Sequence, residues 1–79
     1  MTVTITLRGV LKKKFPDFGD KTVELPEGTT CEKALASVGI NYREIPNFGF
    51  VSVNGKRVMI HDELREGDFL KAYSRVSGG

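Results

Sequence analysis

At 79 residues, 39% of them hydrophobic and with five Phe and two Tyr, the chain is long enough for one compact domain, residues 1–79, and too short for two. Twelve basic and ten acidic residues leave a net charge of +2, without the basic surplus of a nucleic-acid-binding domain. No apolar run approaches the roughly twenty residues of a membrane-spanning helix, so neither nucleic acid nor membrane is expected as a partner.

The first strand is expected over residues 2–7, where Val3, Ile5 and Leu7 alternate with Thr2, Thr4 and Thr6. That alternation does not resemble the apolar block of a signal peptide. Gly9 interrupts it, and Val10-Leu11 is expected to extend the strand after a bulge. Lys12-Lys13-Lys14 then reads as a solvated hairpin tip before the turn-rich residues 15–20. The second strand is residues 22–25, with Val23 and Leu25 inward, and Pro26 ends it.

A helix follows. Thr29 and Glu32 have capping-box spacing, Thr30 is the alternative N-cap, and Gly39 stands where the helix should close. Cys31, Ala34, Leu35 and Val38 form one apolar stripe. Residues 40–48 are irregular. Residues 50–53 read as the third strand and Asn54-Gly55 as a type I′ hairpin turn, with a return strand over residues 56–60. A polar loop anchored by Leu64 leads to the last strand, from Asp68 to Tyr73 or Ser74.

Catalytic side chains are scarce. The chain has one His, one Cys and no carboxylate pair in an apolar setting, so a catalytic triad or metal site lacks its members. An enzyme acting alone, a bound cofactor and a metal are therefore not expected. One cysteine excludes an internal disulfide and suits a reducing, cytoplasmic setting. Cys31 lies near a helix N-terminus, which favours a thiolate, but on an apolar stripe, where a free cysteine is usually a buried small hydrophobe; the buried reading is preferred. His61 reads as a loop residue.

The remaining chemistry is at the end, where the sequence closes Ser74-Arg75-Val76-Ser77-Gly78-Gly79. Glycines carry no Cβ, so a partner's narrow active site can grip such a tail on all sides. A terminal carboxylate needs no special side chain to react. ATP, used by a partner, can convert it to an acyl adenylate, and sulfide or a persulfide can convert that to a thiocarboxylate. A terminal Gly-Gly alone is weak evidence for this chemistry.

The tail gains weight from the domain before it. The element order, residues 25–30 leading into the helix, Val51-Ser52-Val53-Asn54-Gly55 at the hairpin, Leu64 with Gly67-Asp68 before the last strand, and Val76-Ser77-Gly78-Gly79 together resemble the MoaD/ThiS sulfur carriers. The resemblance implies an α+β, β-grasp (ubiquitin-like) fold: a mixed sheet of four or five strands packed on one helix, with a tail over residues 75–79. It implies that Gly79 is adenylated by a ubiquitin-activating-type adenylyltransferase and thiocarboxylated. The sulfur would then go to molybdopterin in a MoaE-like synthase large subunit. Gly78, Ser77 and Val76 would be the tail residues that partners grip. Ser74-Arg75 departs from the paired prolines of many MoaD tails, which leaves the pathway open. The alternatives are a ThiS-like donor to thiazole synthase and a ubiquitin-like modifier conjugated through Gly79.

The last strand should turn Leu70 and Ala72 inward and Phe69, Lys71 and Tyr73 outward. Phe69, Tyr73 and Phe50, with Arg75 at the start of the tail, are the expected docking residues. The competing expectation is that residues 42–48 cover the aromatic groups.

Overall fold

The computed structural model of the chain describes residues 1–75. Strand β1 (Thr2–Arg8) alternates as expected, with Val3, Ile5 and Leu7 buried. The chain then leaves the sheet. Gly9 has φ 65°, a backbone conformation that a side chain disfavours. Residues Val10–Lys14 form a short helix, α1. Both expectations for this segment are corrected: Val10-Leu11 does not extend the strand, and Lys12-Lys13-Lys14 is not a hairpin tip. Within α1, Leu11 is buried in the core, while Val10 and the three lysines face outward.

Strand β2 (Lys21–Glu24) pairs antiparallel with β1, and Met1 and Leu25 continue the ladder by exchanging backbone hydrogen bonds of 2.7 and 2.8 Å. Val23 and Leu25 are only half-buried at this edge.

Helix α2 (Cys31–Ser37) takes Thr30 as its N-cap: Lys33 N–H donates to Thr30 Oγ1 at 3.3 Å. Thr29 is not the cap, because its hydroxyl donates to the Pro26 carbonyl at 2.7 Å. The two N–H groups ahead of Lys33 find distant partners. Cys31 donates to the Asp62 carbonyl at 2.9 Å and Glu32 to the Ile60 carbonyl at 2.8 Å. The helix start is thus satisfied by a loop about thirty residues on, as a buried helix end requires. Cys31, Ala34 and Leu35 are fully buried, and Val38 is half-buried.

A 3₁₀ turn (Tyr42–Glu44) leads into β3 (Phe48–Val53), which starts two residues earlier than expected. Asn54 and Gly55 have φ of 54° and 84°, as the type I′ turn demands. The return strand β4 (Lys56–Val58) is shorter than expected, because Met59 turns away with its carbonyl accepting from Asp62 N–H. Asn54 also ties the turn to the last strand, β5 (Phe69–Ser74): its amide donates to Asp68 Oδ1 and its carbonyl oxygen accepts from Phe69 N–H, both at 2.9 Å.

The sheet runs β2-β1-β5-β3-β4, with β5 central, parallel to β1 and antiparallel to β3. Its inner face, α1, α2 and Leu64 enclose one core.

Candidate functional site

Strand alternation decides what the outer face carries. Leu70 and Ala72 are fully buried inward, so Phe69, Lys71 and Tyr73 point outward. The register of the ladder extends this row. Tyr73 lies between Arg8 on β1 and Phe50 on β3. Lys71 lies between Thr6 and Ser52, and Ser52 in turn opposes Arg57 on β4.

The Phe50 and Tyr73 rings stack at 4.6 Å between centroids with an 11° interplanar angle. The Arg57 guanidinium sits over the other part of this stack, 4.6 Å from the Phe50 centroid. Phe69 stands apart, 56% exposed. Tyr42 packs on Phe48, with ring centroids 5.6 Å apart, and both line one groove with Phe50. Beneath the outer side chains, Ser52 is 4% exposed and its hydroxyl has no hydrogen-bond partner among the described residues. The outer face is therefore aromatic and cationic.

The tail leaves from this same strand. Arg75 N–H donates to the Asn47 carbonyl at 2.6 Å, and Gly49 lies flush against the backbone of Ser74 and Arg75. These contacts fix the direction in which the chain departs. Val76, Ser77, Gly78 and Gly79, the residues expected to carry the chemistry, lie outside the described residues.

Other candidates settle into structural roles. Cys31 is fully buried, and burial, with the Asp62 charge adding, pushes its thiol up to about 11. It is a packed thiol and not a nucleophile. His61 Nδ1 stands 3.3 Å from Glu32 Oε1 on the exposed loop. Among the described residues, no three His, Cys, Asp or Glu gather as metal ligands would, and no helix is long and apolar enough to cross a membrane.

Sequence reasoning placed Phe50, Phe69 and Tyr73 together but missed Arg57, Asn47 and Gly49. Arg57 was within reach, since a two-residue turn at Asn54-Gly55 sets Lys56 against Val53 and Arg57 against Ser52. Nothing in the sequence marks the approach of Gly49 to Arg75.

The described arrangement, a mixed five-stranded sheet over α2 with a central last strand, is shared with known structures. The fold is the β-grasp of ubiquitin-like proteins. The chain is similar to SAMP1 from Haloferax volcanii, with TM-score 0.76, 21% identity and full coverage of both chains. It is similar to a protein provisionally named molybdopterin converting factor, subunit 1, from Pyrococcus furiosus, with TM-score 0.70, 20% identity, and coverage of 96% of this chain and 99% of that one. A third likeness is to the complex of subunits 1 and 2 of molybdopterin-converting factor from Helicobacter pylori, with TM-score 0.66, 14% identity and full coverage of both chains. No family model matches the chain.

Proposed function

We propose that this chain is a cytoplasmic sulfur carrier, a protein cosubstrate that serves molybdopterin synthesis through the carboxylate of Gly79. The observation that carries this reading is the departure point of the tail. Arg75 is pinned to Asn47 at the end of the central strand, directly ahead of Val76-Ser77-Gly78-Gly79. A rigid domain then presents four residues, without side-chain bulk at the last two, to another protein's active site.

The chemistry balances without a catalytic side chain from this chain. The Gly79 carboxylate attacks the α-phosphorus of ATP in the adenylating partner, forming an acyl adenylate and releasing pyrophosphate. Hydrosulfide displaces AMP to leave a thiocarboxylate; a persulfide donor does the same once a thiol cleaves the acyl disulfide. The thiocarboxylate passes its sulfur to the pterin precursor in a synthase large subunit, and water restores the carboxylate. Val76, Ser77 and Gly78 are the residues gripped on the way in. Phe69, Tyr73, Phe50 and Arg75 form the surface on which the partners dock. The complex of subunits 1 and 2 from Helicobacter pylori supports a large-subunit partner. Donation to a thiazole synthase shares every step except the last.

Intact-mass measurement of the chain isolated from its own host tests this reading. It should end at Gly79, with a fraction carrying sulfur in place of one terminal oxygen, lost on alkylation. A chain lacking Gly79 that still restored molybdopterin synthesis would sink it. The likeness to SAMP1 supports a second reading, conjugation of Gly79 to lysine amines. Higher-mass conjugates that vanish when Gly79 is deleted, with no thiocarboxylate, would favour that one.

A further inference from the structure

A second recognition surface lies where β3 and β4 part. β4 pairs with β3 only at Val51, Ser52 and Val53. Upstream, Phe48 and Phe50 pair with β5 on one side, and among the described residues no strand pairs with them on the other. The Phe48 N–H already donates to the Ile45 carbonyl at 3.2 Å and Phe50 pairs with Tyr73, which leaves Gly49 as the position where an extended chain meets this edge. A groove of about 360 Å³ opens there, within the range of sites that hold ligand or peptide side chains. Tyr42, Phe48, Met59 and Ile60 line it, together with Phe50, which it shares with the outer face; Met59 is 71% exposed, an adaptable thioether at the rim.

The charge of the groove has one sign. Among the described residues, its ionic lining residues are Arg43 and Arg57. Each guanidinium is held against a ring: Arg57 at 4.6 Å from the Phe50 centroid, and Arg43 at 5.6 Å from the Tyr42 centroid, with its Nε donating to the Tyr42 hydroxyl at 3.2 Å. Stacking orients the guanidinium plane and leaves its N–H edges for carboxylates. Glu32 meets Arg43 at 3.6 Å on the helix side, an exposed contact that is readily exchanged. Two cations are too few for a nucleic-acid track, whereas a free strand edge beside an apolar groove suits a polypeptide.

We propose that this groove binds an extended, acidic segment of a partner protein, which meets the strand edge at Gly49, seats an apolar side chain between Tyr42 and Met59, and places carboxylates on Arg43 and Arg57. The proposed contacts do not involve Gly79, so a carrier that has lost Gly79 should still bind.

The test is an NMR titration of the ¹⁵N-labelled chain with two synthetic peptides of about eight residues, one alternating glutamate and leucine, the other lysine and leucine. The acidic peptide should shift the amides of residues 48–50, Met59 and Ile60 saturably, and the basic peptide should bind at least roughly tenfold more weakly. Raising the salt concentration should weaken the acidic complex. Arg43→Glu and Met59→Asp, both at exposed positions, should each weaken it about tenfold, while Phe69→Ser on the outer face leaves it unchanged. Equal binding of both peptides, shifts confined to the outer face around Phe69 and Lys71, or no saturable shift would overturn the proposal. So would a concentration-dependent dimer in sedimentation that Met59→Asp abolishes, since the groove would then serve a second copy of this chain.

Discussion

Gly49 and Arg75 pack so closely that a methyl group on Gly49 would stand 2.7 Å from the Arg75 backbone nitrogen. The obstacle is space and not backbone conformation, and the atoms in the way are backbone, which cannot swing aside. Gly49→Ala should therefore push β3 and the start of the tail apart, at a cost of about 1–3 kcal/mol. Thermal unfolding measures the loss. The amide signal of Arg75 should move as its hydrogen bond to Asn47 lengthens, and an unchanged Arg75 signal would contradict the close packing.

The outer face separates stability from docking. Phe69 is 56% exposed, so Phe69→Ser should change stability by no more than about 0.5 kcal/mol. Tyr73→Ala should cost more, because the stacked pair with Phe50 contributes about 0.5–1.5 kcal/mol beyond its buried area. Both should weaken binding to the proposed large-subunit partner, measured by calorimetry. If Phe69→Ser bound normally, Phe69 would be no part of the docking surface.

Removing the Ser52 hydroxyl should be harmless to the isolated chain. A buried hydroxyl without a partner has given up hydration for nothing, so Ser52→Ala should leave the melting temperature unchanged or raise it. A drop of several degrees would mean that the hydroxyl is hydrogen-bonded after all.

Leu11 anchors the segment that the sequence misrepresents. It is 1% exposed under α1, and Leu11→Ala should cost about 2–5 kcal/mol in denaturant unfolding. Val10→Ala, at an exposed position in the same helix, should cost far less. Equal effects would contradict the burial of Leu11 and the exposure of Val10.

Cys31 sets an alkaline limit. Its thiol titrates at about 11 in the folded chain against an ordinary 9.0. Between those values the unfolded chain releases a proton that the folded chain keeps, so stability is fully present below pH 9 and falls as pH rises towards 11. The slope is at most roughly 1.4 kcal/mol per pH unit. In Cys31→Ala this part of the pH dependence should vanish. Iodoacetamide should label the native thiol only slowly at pH 8, and rapid labelling would contradict its burial.

Much of this fold is legible in short stretches of sequence, because local physics decides them. Alternation in residues 2–7 gives β1 its buried face, and Asn54-Gly55 demands positive φ at two successive residues and so sets the β3–β4 register. The period of two also sets Leu70 and Ala72 opposite Phe69, Lys71 and Tyr73, and the resemblance to the β-grasp indicates which set turns inward. The terminal Ser77-Gly78-Gly79 is likewise a property of the sequence alone, as is the scarcity of catalytic side chains.

Tertiary structure decided what depends on distant partners. Thr30 rather than Thr29 caps α2 because the carbonyls of Ile60 and Asp62 reach the helix start and Thr29 turns back to Pro26. Val10-Leu11 became helix although a continued β1 would also have turned Leu11 inward, so packing and not alternation chose the element that carries it. The placement of Arg57 on Phe50, the fork beside Phe48 and the fit of Gly49 against Arg75 each join residues brought together only when the sheet closes. The sequence by itself carries the terminal Gly-Gly on which the proposed chemistry rests; the packing of β3 on β5 decided where the chain leaves the sheet at Arg75.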